Sequence, residues 1–186
     1  MSLRLFVALP VPPAQRAEVG AAVAATRSEL RNLPGLRWPP PERWHVTLAF
    51  LGSVDERSLP GLDERLGRAA RRAAPIAVRV EGAGRFDGRV LWVGVQGDAA
   101  VLRSLAAAVA AAARRMGIDV DDRPLRPHLT VARADRTVDL RPAVSSLSGF
   151  SGQPWTAYHI ELVSSRLGAQ PAYETLRTFP LGATVA

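Results

Sequence analysis

Residues 45–49 read His45-Val46-Thr47-Leu48-Ala49, and residues 128–132 repeat this pattern as His128-Leu129-Thr130-Val131-Ala132. The two copies lie about half a chain apart. Each has the apolar and β-branched composition of a strand, in which alternate side chains point to opposite faces. The first, third and fifth residues of each copy are therefore expected to share one face, with apolar residues behind them. The repeat predicts two related lobes, each carrying one strand with a His and a Thr on its front.

Strands and helices alternate on either side of these motifs. Helical periodicity indicates helices at 14–30 and 58–73, and a third helix that Asp98 caps and Gly117 ends. Strands are expected at 3–9, 44–51, 76–80, 89–95, 128–134, 155–165 and 173–181, with a weak segment at 137–148. Asp87-Gly88 is typical of a tight hairpin turn. The pattern predicts an α+β fold with antiparallel sheets, and no Gly-x-Gly-x-x-Gly sequence supports a dinucleotide-binding parallel sheet.

The composition excludes several kinds of chemistry. The 186-residue chain has no Cys, and all 24 of its basic residues are Arg, because Lys is absent. Without Cys there can be no disulfide, thiolate zinc site or Cys nucleophile. Without Lys there can be no Schiff base, phosphate-loop Lys or Lys-nucleotide adduct of an ATP-dependent ligase. Imidazole chemistry must use His45, His128 or His159.

The net charge of the chain and its apolar segments indicate which partners it binds and where in the cell it is located. The net charge of +7 favours a phosphorylated or polyanionic partner. Arg strengthens that expectation because its planar guanidinium matches phosphate oxygens. The short apolar run before Pro10 does not resemble a signal peptide, and no stretch is suited to span a bilayer. We therefore expect a cytoplasmic protein with no membrane partner.

Two His-x-Thr strands facing each other suit acid–base chemistry on a phosphate. Imidazole is the side chain that can be neutral on one residue and protonated on another near neutral pH. In-line attack on a phosphodiester needs a base for the attacking oxygen and an acid for the departing oxygen. The hydroxyls of Thr47 and Thr130 could donate hydrogen bonds to the phosphate. A metal site is the competing use of the two His, but no further ligands accompany them, so we expect no metal.

At these residues the sequence resembles the 2H phosphoesterase superfamily, and within it the RNA 2′,3′-cyclic phosphodiesterases, also called 2′-5′ RNA ligases. The resemblance spans nearly the whole chain. The segments that carry it are residues 3–9 (LRLFVAL), 44–52 (WHVTLAFLG), 89–94 (RVLWVG), 123–133 (RPLRPHLTVAR), 165–167 (SRL), 173–174 (YE) and 179–181 (FPL). It implies a single domain over residues 1–186, made of two pseudo-symmetric lobes. Two antiparallel sheets would face a central cleft, with helices outside.

The resemblance also implies an activity and residue roles. The reaction would be cofactor-independent hydrolysis of an RNA 2′,3′-cyclic phosphate end to a 2′-phosphate. His45 would donate the proton to the leaving oxygen, His128 would accept a proton from water, and Thr47 and Thr130 would hold the phosphate. Some members also join such an end to a 5′-hydroxyl through a 2′-5′ bond without ATP.

Other residues are secondary candidates for substrate contacts. Arg126 and Arg133 flank the second motif and could bind phosphate or the RNA backbone. Tyr173 is the favoured residue for stacking on a base, and Phe6 is also considered. Alternation along the strand places Trp44 and Phe50 in the core, opposite His45. His159 has Glu161 where the motifs have Thr, and we expect it to be structural.

Two alternatives to RNA end hydrolysis remain open. One is a protein that binds RNA ends with little turnover, which the positive charge would favour. The other is a 2H phosphodiesterase acting on another small cyclic phosphate or on a 2′-5′ oligonucleotide. The motifs describe the phosphate and not the groups attached to it. We expect a monomer whose partners are RNA with 2′,3′-cyclic phosphate ends or small cyclic nucleotides.

Overall fold

The structure, a computed structural model, describes residues 1–30, 34–135, 137–166 and 172–182. Leu167, which belongs to one of the segments quoted above, lies outside these residues. Within them the helices are α1 (Pro13–Glu29), α2 (Leu59–Arg71), α3 (Ala99–Arg114) and α4 (Arg141–Leu147). The strands are β1 (Ser2–Pro10), β2 (Leu36–Arg37), β3 (His45–Asp55), β4 (Ile76–Phe86), β5 (Val90–Gly97), β6 (His128–Ala134), β7 (Trp155–Ala157), β8 (His159–Arg166) and β9 (Ala172–Pro180).

The strands form two antiparallel sheets, which confirms the predicted α+β class. The first sheet has the order β3-β1-β8-β9, and the second has the order β2-β6-β5-β4-β7. Helices α2 and α3 pack together and contact the first sheet, while α1 and α4 pack together and α4 contacts the second. The two motif strands, β3 and β6, contact each other where the two sheets meet. The fold therefore brings the two His-x-Thr segments together.

The hairpin between β4 and β5 forms at the predicted turn. Asp87 and Gly88 have φ values of 48° and 64°, the left-handed conformation that a tight hairpin turn requires. The strand before the turn runs to Phe86 rather than ending at Val80. Asp98 occupies the N-cap position just before α3, but its side chain does not cap the helix as expected. Its Oδ2 instead accepts a hydrogen bond from the backbone N–H of Ala77 at 3.0 Å. Asp98 thus ties the helix start to β4.

A bulge in β3 overturns the predicted placement of Phe50. Thr47 pairs with Ala8 and Ala49 pairs with Val7, which leaves Leu48 without a partner in the ladder. The extra residue reverses the alternation of faces beyond Thr47. Ala49 is consequently buried in the main core instead of sharing the face of Thr47, and Phe50 is 59% exposed instead of buried. Trp44 precedes the bulge and is buried, as predicted.

Strand β6 carries a bulge at the same point after its motif. Thr130 pairs with Trp92 and Ala132 pairs with Leu91, so Val131 is the unpaired residue. Ala132 is fully buried, contrary to the expectation that it shares the face of His128 and Thr130. Arg133 is exposed instead. The two motifs therefore match in backbone irregularity as well as in residue type.

The segment at 137–148 contains a short helix that the sequence does not clearly predict. Helix α4 buries Ala143 and Leu147, and Thr26 on α1 shares a hydrogen bond with Ser146.

In the described part of the chain, no helix is long and apolar enough to cross a membrane.

Candidate active site

Each motif His makes the same hydrogen bond to the backbone two residues before it. Nδ1 of His45 lies 2.8 Å from the carbonyl oxygen of Arg43, and Nδ1 of His128 lies 2.6 Å from that of Arg126. A carbonyl oxygen can only accept, so Nδ1 of each ring carries the hydrogen. The second nitrogen, Nε2, has no hydrogen-bond partner among the described residues in either ring. Each imidazole therefore keeps one nitrogen free to accept or donate a proton.

Aromatic rings hold the two imidazoles in place. Phe6 on β1 stacks on His45 with ring centroids 4.6 Å apart, and Tyr173 meets His45 edge-on at 5.5 Å. On the other sheet Phe86 meets His128 edge-on at 4.8 Å. Phe6 is 3% exposed and already packed on an imidazole, so it is not free to stack on a base. Tyr173 is 45% exposed, which leaves part of the residue accessible to a ligand.

Gly84 allows a further ring to lie close to His128. Trp92 on β5 packs against Gly84 on β4, and a Cβ atom at Gly84 would overlap the indole. The Trp92 ring lies 6.3 Å from that of His128. The absence of a side chain at Gly84 thus determines where the indole sits beside the second motif.

Burial and neighbouring charge lower the pKa of both motif histidines. For His45 the main cause is burial, which disfavours the charged ring, and the positive charge that His128 can carry lowers the pKa further. For His128 the main cause is again burial, followed by the positive charge of Arg133. In both rings the hydrogen bond to the backbone carbonyl opposes the shift. Because the charge of one imidazole acts on the other, protonation of His128 disfavours protonation of His45.

The structure places the predicted threonines beside the histidines. Thr47 and Thr130 are half-buried on the cleft faces of β3 and β6. Neither hydroxyl makes a hydrogen bond to another described residue. Both are therefore available as donors to a ligand between the sheets.

The two candidate arginines differ in position. The bulge in β6 turns Arg133 toward the cleft, where its charge acts on His128. Arg126 is exposed. Its backbone carbonyl oxygen contacts the site by accepting the hydrogen bond from Nδ1 of His128. Simple strand alternation could not identify Arg133, because the unpaired Val131 is visible only in the ladder.

A cavity of about 580 Å³ extends from His45 over the first sheet. Its volume lies in the usual range for small-molecule sites. It reaches His159 and Glu161 on β8 and Tyr173 and Thr175 on β9. The sequence does not predict that His159 lies in this wall. It shows only that Glu161 stands where the motifs have Thr, which says nothing about a cavity. Its Nε2 lies 3.6 Å from Oε1 of Glu161.

Within residues 1–30, 34–135, 137–166 and 172–182, no group of three or more His, Asp or Glu side chains converges.

The chain is similar to a known family over most of its length. Residues 11–169 match the model of the 2′-5′ RNA ligase superfamily. A relative from Archaeoglobus fulgidus, named RNA 2′,3′-cyclic phosphodiesterase, is 32% identical over 95% of this chain and 99% of its own. One of the same name from Geobacillus stearothermophilus is 31% identical over 95% of this chain, which spans only 56% of that relative's length.

Solved structures show the same architecture. TT0787 of Thermus thermophilus is 30% identical, with a TM-score of 0.78 over 98% of this chain and 100% of its own. LigT of E. coli, crystallised with 3′-AMP, is 26% identical, with a TM-score of 0.80 over 97% of this chain and 99% of its own.

Proposed function

Since the chain belongs to the 2′-5′ RNA ligase superfamily, we propose that it hydrolyses RNA 2′,3′-cyclic phosphate ends to 2′-phosphates. The relatives named RNA 2′,3′-cyclic phosphodiesterase support this activity at 31% and 32% identity. The observation that carries the proposal is the matched pair of Nδ1 hydrogen bonds, which leaves Nε2 of both His45 and His128 available for proton transfer. The two motifs would represent two pseudo-symmetric lobes of one domain.

In this mechanism the two imidazoles take opposite roles. His128 Nε2 accepts a proton from water as the water oxygen forms a bond to phosphorus. The bond from phosphorus to the ribose 3′ oxygen breaks, and His45 Nε2 donates a proton to that oxygen. The product keeps its phosphate on the 2′ oxygen. Arg133 supports the role of His128, because a nearby positive charge lowers the pKa of His128 and favours its neutral, basic form.

The threonines and Arg133 would act on the phosphate itself. Negative charge shifts among the phosphate oxygens as the bonds change. Hydroxyl donors fixed on two rigid strands can stabilise that charge without reorganising. Thr47 and Thr130 are suited to this role because their hydroxyls have no partner among the described residues. The guanidinium of Arg133 adds a positive charge that cannot be deprotonated.

The same chemistry extends to ligation. If a 5′-hydroxyl takes the place of water, the bond to the 3′ oxygen breaks as before and a 2′-5′ phosphodiester forms. The cyclic phosphate supplies the activation, so neither ATP nor a nucleotidylated Lys is required.

Product analysis tests the proposal. The protein is incubated with 2′,3′-cyclic mononucleotides and with oligoribonucleotides ending in a 2′,3′-cyclic phosphate, with and without a chelator. We expect 2′-phosphate products, at a rate that the chelator leaves unchanged. Exclusive 3′-phosphate formation, binding without turnover, or a requirement for added metal would each contradict the proposal.

A further inference from the structure

Beside the His45 site, the cavity wall carries a carboxylate that the proposed mechanism does not use. Glu161 on β8 faces the cavity together with His159 on the same strand and Thr175 on β9. We call these three residues the base-edge subsite. Glu42 also lines this cavity, but it precedes the strand of His45, whereas Glu161 lies on the sheet itself. A carboxylate repels the phosphate, so Glu161 is suited to a neutral part of the ligand.

The strand register fixes how far this carboxylate lies from the phosphate-binding threonine. Ala8 on β1 pairs with Thr47 on one side and with Glu161 on the other. Residues directly opposite each other in an antiparallel pair share a face, so all three belong to the cleft side. Two strand spacings separate Thr47 from Glu161, which is about 10 Å. This matches the reach of a nucleotide from its ribose phosphate to the far edge of its base.

The sheet surface between Thr47 and Glu161 carries only a small side chain. Ala8 has only a methyl side chain and lies in the cavity lining between His45 and Glu161. A ribose can lie over Ala8. The ring of Tyr173 also lines the cavity and would lie beside the base. A nucleoside whose cyclic phosphate lies at Thr47 therefore directs its base toward Glu161.

Glu161 has acceptor capacity to spare. Among the described residues, its Oε2 accepts one hydrogen bond, from the hydroxyl of Thr175 at 3.2 Å. Its Oε1 lies 3.6 Å from His159 Nε2, beyond hydrogen-bond length. A carboxylate offers about four acceptor positions, so a base edge with two adjacent donors can bind to it. Among the RNA bases, guanine alone presents two neighbouring N–H groups, N1–H and N2–H, on its Watson–Crick edge.

We propose that Glu161, positioned by Thr175 and flanked by His159, selects a guanine base in the nucleotide that carries the cyclic phosphate. This inference rests on the proposed function, whose site it extends. The repulsion between the carboxylate and the phosphate supports the orientation, because it keeps the phosphate at the threonines and the neutral base at Glu161.

The test compares guanosine with inosine 2′,3′-cyclic phosphate, which differ only in the 2-amino group of the base. We expect kcat/KM to be about tenfold higher for the guanosine substrate, the usual discrimination for one good base contact. In Glu161→Gln the amide presents a donor to the base, so the guanosine-to-inosine ratio should fall to near one. Glu174→Gln removes the same charge from the opposite face of β9 and should keep the wild-type ratio.

A binding measurement separates this inference from the catalytic proposal. Calorimetric titration of the wild-type protein and both variants with guanosine and inosine 2′-monophosphate reports base preference without turnover. Preference for guanosine that disappears in Glu161→Gln supports the subsite even if hydrolysis fails. Equal affinities in the wild type, or a preference that survives Glu161→Gln, would overturn it.

Discussion

Phe50 and Arg133 occupy equivalent positions, each brought to the cleft by a bulge that directly follows a motif threonine. The two residues differ in chemistry although their backbones match. Phe50 packs near Phe6 with ring centroids 6.0 Å apart, on the His45 side. Arg133 places a positive charge near His128. The two matched strands thus give their imidazoles different surroundings, which the proposed division into an acid and a base requires.

The first prediction concerns the two imidazoles. Replacing His45 or His128 by Ala should lower kcat for a 2′,3′-cyclic nucleotide by about 10²–10⁴-fold, the usual contribution of a general acid or base. The double variant should be little worse than either single one, because both groups act in one step. Steady-state kinetics measures this, with circular dichroism as the folding control. Undiminished turnover in both single variants would remove the two-histidine mechanism.

The second prediction separates the threonine hydroxyls from the threonine methyl groups. Thr47→Val and Thr130→Val should each reduce kcat by about a hundredfold, because a fixed donor to the phosphate is lost. Thr→Ser at the same positions keeps the hydroxyl and should recover most of the rate. If Val and Ser variants behave alike, the hydroxyls do not contact the phosphate.

The third prediction uses the charge of Arg133. This charge lowers the pKa of His128, so Arg133→Gln should raise that pKa. His128 must be neutral to act as the base, and the acidic limb of the kcat/KM profile should therefore move to higher pH. Arg103→Gln on the exposed side of α3 is the matched control and should leave the limb in place. An unmoved limb in Arg133→Gln would argue that another group titrates there.

The fourth prediction tests the packing beneath His128. Gly84→Ala would place a methyl group where the Trp92 ring lies, and the rigid indole would have to move. We expect a loss of about 1–3 kcal/mol in the free energy of unfolding. A fall in kcat should accompany it, because Trp92 lies beside His128. Gly20→Ala on α1, where a Cβ meets nothing within 4 Å, is the control for both measurements.

Many strands and turns of this fold can be predicted from the sequence, because hydrophobic alternation and turn residues are local signals. They predict a strand over residues 128–134 with the bounds that the structure shows. They also identify the Asp87-Gly88 turn. The bulges after Thr47 and Thr130 are not predictable in this way, because an unpaired residue is defined by the neighbouring strand. That is why alternation alone assigns Phe50 to the core and turns Arg133 away from the face of His128. The cavity position of Glu161 likewise depends on its pairing with Ala8, a contact between distant parts of the chain.

The last prediction links the lowered histidine pKa values to stability. In the unfolded chain both rings titrate near the ordinary value of about 6.5, whereas folding favours their neutral forms and lowers the pKa of each. Between the two values the unfolded state binds more protons, so its population rises as pH falls. The free energy of unfolding should therefore be highest above about pH 6.5 and should decrease as pH falls below that value. The double variant His45→Asn, His128→Asn removes both titrating groups and should lose less stability over the same interval. Urea denaturation at about pH 7.5 and about pH 5 measures the difference, and the carboxylates common to both proteins largely cancel in the comparison. An equal loss of stability in the wild type and the double variant would show that burial does not hold these imidazoles neutral.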